Sequence, residues 1–139
     1  MKSLTYAKFF ESMSKNTSQL EYSQIFSHNV KFKDPFHDIE GISNLFNIFQ
    51  DMYSKLDNPR FVVNETIEKD NISYLKWTFL FSFKNSSTVN SFEGVSRVEF
   101  NEENKAISHT DYWDTSENLY EKVPILASIF KLIKRIIKS

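Results

Sequence analysis

A chain of 139 residues, 40% hydrophobic and 25% charged, is long enough for one domain with a sizeable core and too short for two. Zero Cys excludes a disulfide framework, a thiolate metal site and a Cys nucleophile, while 2 Gly and 3 Pro exclude collagen-like and linker-rich architectures. With 17 basic against 18 acidic residues the net charge is -1, so the chain is no nucleic-acid polyelectrolyte and no nucleic-acid partner is expected.

Residues 4–13 carry Leu4, Tyr6, Phe9, Phe10 and Met13 at helical spacing. Ser18 can cap a second helix with Leu20, Tyr22, Ile25 and Phe26. Strict alternation over 30–34 predicts a short strand ended by Pro35, and 36–41 reads as a loop. The strongest helical stripe follows, Ile42, Leu45, Phe46, Phe49, Met52, Tyr53 and Leu56, stopped by Asp57-Asn58-Pro59. Phe61, Val63, Glu65 and Ile67 alternate on one strand face. After a turn at 68–71, Ser73, Leu75, Trp77, Phe79, Phe81 and Phe83 share one face of a second strand. Further strands are expected over 88–100 and 105–114. Four strands joined by short polar turns make an antiparallel meander, and helices before a sheet make an α+β plan. Gly94, inside the third of these strands, is expected to mark a bulge or corner that lets the sheet curl into a cone with an interior.

No run approaches the about 18 apolar residues of a membrane span, and the N-terminal stretch has neither an uninterrupted apolar core nor a small-residue cleavage site. A cytoplasmic location is the expectation. The C-terminus is distinct. Pro124 can open a helix over 125–138 with Lys131, Lys134, Arg135 and Lys138 on one stripe and isoleucines opposite. Such a helix suits a cap over the cone or a dimer contact, and its cationic stripe also suits peripheral contact with the inner membrane surface.

The order helix, helix, strand ending in Asp-Pro, Gly, long helix and meander ending in Tyr-Trp resembles the nuclear transport factor 2-like superfamily, in its SnoaL-like and ketosteroid isomerase-like bacterial branch. Two stretches carry the resemblance over residues 4–115. Phe26-Ser27-His28-Asn29-Val30-Lys31-Phe32-Lys33-Asp34-Pro35-Phe36 with Gly41 is similar to the isomerase pattern F-x-x-x-A-x-x-x-D-P-F with a following Gly. Ile107-Ser108-His109-Thr110-Asp111-Tyr112-Trp113 is similar to that family's last strand. The resemblance implies a cone-shaped, curved antiparallel sheet wrapped around N-terminal helices (the cystatin-like plan) over residues 1–116. Residues 117–139 would form the appended basic amphipathic helix. It also implies an interior pocket and, as in nuclear transport factor 2, a homodimer through the sheet. Asp34 stands at the isomerase's base position. Phe10 and Ser96 stand where its oxyanion Tyr and protonated Asp would be, so steroid isomerisation is not expected.

Two readings attach to each candidate residue. Asp34, beside Phe32 and Phe36, is either a desolvated general base or the cap of the Pro35 turn. His109, Asp111 and Trp113 fall on one strand face; His109 is either an acid/base oriented by Asp111 or a satisfied polar residue, with Asp111 and Asp114 bonded to turns or Arg97. The stripe from Leu75 to Phe83 either packs under the long helix or lines the cone, where it would suit a flat or long-chained apolar ligand. Phe10, Phe32, Phe36, Trp77, Ser96 and Trp113 are the expected ligand contacts by resemblance. His37 and Asp38 lack metal-ligand spacing, and neither metal nor cofactor is expected. The reading is therefore a protein that binds a hydrophobic small molecule. The alternatives are a cofactor-independent isomerase, dehydratase or cyclase with Asp34 or His109 as base, and a scaffold whose sheet is a dimer surface.

Overall fold

Local sequence sets where each element of this computed structural model, which describes residues 2–114, begins and ends. Helix α1 spans Lys2–Ser12 and α2 spans Gln19–Ile25. At the start of α2 the Ser18 hydroxyl accepts the Glu21 N–H while the Glu21 carboxylate accepts the Ser18 N–H, a reciprocal cap that satisfies two otherwise unpaired donors. Strand β1 (Phe26–Lys33) follows α2 directly, so it is longer than the alternation of 30–34 predicts. Helix α3 (Ile42–Lys55) starts at Gly41, whose φ of 99° suits a residue without Cβ. Strands β3 (Leu56–Lys69), β4 (Ile72–Phe83), β5 (Asn90–Phe100) and β6 (Ala106–Tyr112) form the expected meander.

The structure departs from expectation at four points. The loop of 36–41 contains a three-residue strand, β2 (Asp38–Glu40), folded back on β1 with Lys33 opposite Asp38. The sheet, ordered β2-β1-β6-β5-β4-β3, is mixed rather than wholly antiparallel, because β1 lies parallel to β6 with Phe32 opposite His109. Gly94 marks no bulge: the β4–β5 register runs through Trp77 opposite Gly94 without a shift. Its role is space, since a Cβ there would meet the Trp77 ring at 2.4 Å. A bulge occurs instead on β3, between Val63 and Glu65. One extra residue reverses the alternation, so Phe61 and Val63 face the core whereas Ile67 emerges on the outer face, 62% exposed beside Tyr74.

The helices cover the inner face of the sheet. Tyr6 and Phe10 of α1, Tyr22 of α2 and Leu45 and Phe49 of α3 meet Phe26, Phe32 and Phe100 in one aromatic core. Ring pairs there sit edge-on or tilted, as between Tyr6 and Phe100 at 5.4 Å and 90°, the arrangement that the ring quadrupoles favour. Trp77, Phe79 and Phe81 form a second cluster beside the first, backed by Met52 and Phe92. No helix among the described residues is long and apolar enough to cross a membrane. The helix predicted for 125–138 lies outside the described residues.

Candidate functional site

Period-two alternation brings inner-face residues of neighbouring strands into rows. In one, Leu75, Ser96 and Asp111 lie side by side on β4, β5 and β6; in another, His109 lies beside Val98 and Phe32. Between these rows and the helices are two adjoining cavities. The larger, about 150 Å³, is comparable to an engineered apolar cavity that binds benzene. Phe32 and Phe36, Met52 of α3 and Trp77, Phe92 and Trp113 are among its walls. The smaller, about 20 Å³, has room for about one water and is bounded by Tyr6, Phe10, Ser96 and His109. Asp111, Trp77, Phe49 and Phe61 border both.

A continuous hydrogen-bonded chain crosses the inner end of this space. The Tyr6 hydroxyl lies 2.6 Å from His109 Nδ1, and His109 Nε2 lies 2.6 Å from Asp111 Oδ1. The Ser96 hydroxyl donates to the same Asp111 oxygen at 2.5 Å, and Trp77 Nε1–H donates to Ser96 Oγ at 2.8 Å. Burial, reinforced by the negative charge of Asp111, holds the Tyr6 hydroxyl well above the ordinary tyrosine range, so it keeps its proton. The Asp111 carboxylate is an acceptor, so the Ser96 hydroxyl and His109 Nε2–H both donate to its Oδ1.

His109 is only 3% exposed and lies between aromatic rings, stacked on Phe32 at 5.1 Å and tilted against Phe10 at 5.4 Å. It borders the small cavity, and Asp111 stands between it and the large one. Both hydrogen bonds of Asp111 fall on Oδ1; among the described residues Oδ2 accepts none. Asp34 also borders the large cavity, but its Oδ1 accepts the Phe36 N–H at 2.8 Å and the His37 N–H at 2.6 Å. His37 Nδ1 lies 2.9 and 3.0 Å from its two oxygens. This carboxylate closes the β1–β2 turn, the second of the two readings open for it. On the opposite wall Lys55 donates to Asp51 at 2.6 Å across one helical turn.

All of the expected contacts border one cavity or both: Phe32, Phe36 and Trp113 the larger, Phe10 and Ser96 the smaller, Trp77 both. Tyr6 was not among them, because on an amphipathic helix it reads as one more core aromatic. Its one signal is position: it lies one turn before Phe10, where the resemblance expects a tyrosine hydroxyl. Among the described residues no group of three or more His, Asp or Glu could hold a metal ion.

No protein-family profile matches the chain, and no curated protein matches it in sequence. Solved structures match its fold. A hypothetical protein of ketosteroid isomerase-like fold from Catenulispora acidiphila, in complex with trimethylamine, superposes with a TM-score of 0.71 at 11% identity, over 86% of this chain and 89% of that one. A nuclear transport factor 2-like protein of unknown function from Exiguobacterium gives 0.68 at 13% identity, over 82% and 98%. A SnoaL-like family protein from Agrobacterium tumefaciens gives 0.65 at 18%, over 81% and 94%. The expected cone fold is therefore present.

Proposed function

We propose that this nuclear transport factor 2-like cone binds a small molecule with an apolar body in its larger cavity. The observation that carries the reading is the cavity itself: about 150 Å³, walled mainly by aromatic side chains, with one carboxylate oxygen at its inner end. Apolar surface transferred from water onto those rings supplies affinity, and Asp111 supplies orientation. That a neighbour of the same fold holds trimethylamine supports a ligand of modest size. Native mass spectrometry of the protein purified from its own cells tests the proposal. A stoichiometric low-mass adduct is the expected result. A bare chain that also gains no thermal stability from the small-molecule extract of those cells would overturn it.

A second reading is favoured by one specific observation, the chain Tyr6–His109–Asp111. Asp111 would take a proton from the bound molecule through Oδ2, with His109 holding the carboxylate from behind and Tyr6 fixing the His109 tautomer. This exchanges the two roles expected from sequence, since Asp111 faces the large cavity and His109 does not. Asp111→Asn would then lower turnover by about 10²–10⁴ while leaving the ligand bound; equal loss of binding and rate would exclude base catalysis.

A further inference from the structure

The charges on the larger cavity do not balance. Asp34, Asp51 and Asp111 contribute three carboxylates, against one ammonium, that of Lys55, and His37. The sum is -2 with His37 neutral and -1 with it protonated. Two of these carboxylates have partners, Asp51 with Lys55 and Asp34 with His37. Asp111 is held through Oδ1 alone, by the Ser96 hydroxyl at 2.5 Å and His109 Nε2 at 2.6 Å, and its Oδ2 accepts no hydrogen bond among the described residues. A carboxylate with one oxygen still open to a donor thus stands at the inner end of an aromatic cavity, and among the described residues no Lys or Arg forms an ion pair with it.

A neutral apolar guest gains the aromatic contact alone, whereas a cationic guest gains the same contact and also meets the carboxylate's charge. The walls suit one too. Phe92 and Trp113 lie 4.7 Å apart at 33°, Phe36 meets Trp113 at 5.5 Å and 51°, and Trp77 meets Phe92 at 6.0 Å and 68°. These four rings, Phe36, Trp77, Phe92 and Trp113, line the cavity, and the negative potential of aromatic π systems attracts organic cations.

Resting on the ligand-binding reading above, we infer that the preferred guest is a small organic cation, an ammonium clothed in methyl or other apolar groups, held between the Phe36, Trp77, Phe92 and Trp113 rings with its charge toward Asp111. The compact, strongly hydrated ammonium of a free amine without such groups would be a poorer fit, because it forfeits the aromatic contact.

Calorimetric titration with choline and with its carbon isostere, in which a tert-butyl group replaces the trimethylammonium, isolates the charge at constant shape. The expected result is choline tighter by about tenfold or more. Asp111→Asn, which keeps an oxygen to accept the Ser96 and His109 bonds, should bring the two within about threefold. A short-chain phosphocholine lipid below its micellar concentration, titrated alongside, tells a free cation from a lipid head group. Equal binding of choline and the isostere, or tighter binding of the isostere, would overturn this inference and leave the cavity reading standing. Binding of neither would overturn both. Should Asp111→Asn fail to fold by circular dichroism, the comparison in the unmodified protein decides alone.

Discussion

Removing the Tyr6 hydroxyl would leave His109 Nδ1 buried among Phe10, Phe32 and the ring of residue 6, without its hydrogen-bond partner. A buried polar atom without a partner costs about 1–3 kcal/mol, whereas the packing of a Phe ring at this position would be nearly unchanged. Tyr6→Phe should therefore lower the unfolding free energy by that amount, seen as a lower urea midpoint with little change in slope; an unmoved midpoint would mean that the hydroxyl contributes nothing. Tyr6, Tyr22 and Tyr53 also predict a pH dependence. Burial is the principal cause at all three, raising Tyr6 and Tyr22 well above the ordinary value of 10.0 and Tyr53 to about 12. The folded chain keeps protons that the unfolded chain sheds, so their contribution is fully present below about pH 10 and is lost as pH climbs through the folded values. Tyrosinate absorbance of these three should rise only together with unfolding; ionisation in the folded state would contradict their burial. His109, Asp111 and Trp113 were legible on one face because strand periodicity is strict. Tyr6 was not, since its partner lies 103 residues away and periodicity says nothing of hydroxyls.

Elements carry their own tests. The β1–β2 hairpin rests on Asp34, which takes two backbone N–H groups and His37. Asp34→Ala should cost about 1.5–3 kcal/mol, and Asp34→Asn, which keeps the accepting oxygen, distinctly less. Equal losses would mean that charge rather than turn geometry matters there. Gly94→Ala drives a methyl into the Trp77 ring and threatens the Trp77–Ser96 hydrogen bond, for a loss of about 1–3 kcal/mol and a red-shifted tryptophan emission. A neutral change would show that the indole has room to move. Helix α3 and the long strands were readable because each repeats its period several times. Three residues of β2 cannot display a period, and the bulge after Val63 leaves no mark in a sequence that still alternates at Ile67.

At the scale of the whole molecule, segment order together with the Asp-Pro and Tyr-Trp stretches was enough to anticipate the cone, because the order of elements constrains how a sheet can curl around its helices. How the interior divides was not. The stripe on β4 splits: Leu75 joins the main core while Trp77, Phe79 and Phe81 border the larger cavity, and only packing against α1 and α3 decides between the two. Ligand stabilisation belongs to this scale as well, since a guest that binds only the folded cone shifts the whole unfolding equilibrium. The chain's 2 Trp, Trp77 and Trp113, both border that cavity, so each indole is a reporter on it. The most direct measurement is a titration with benzene followed by the two indole N–H resonances. Saturable shifts of both, abolished when Met52→Trp fills the space, are predicted. Indole resonances that stay in place up to the solubility of benzene would contradict the claim that this cavity is a ligand site.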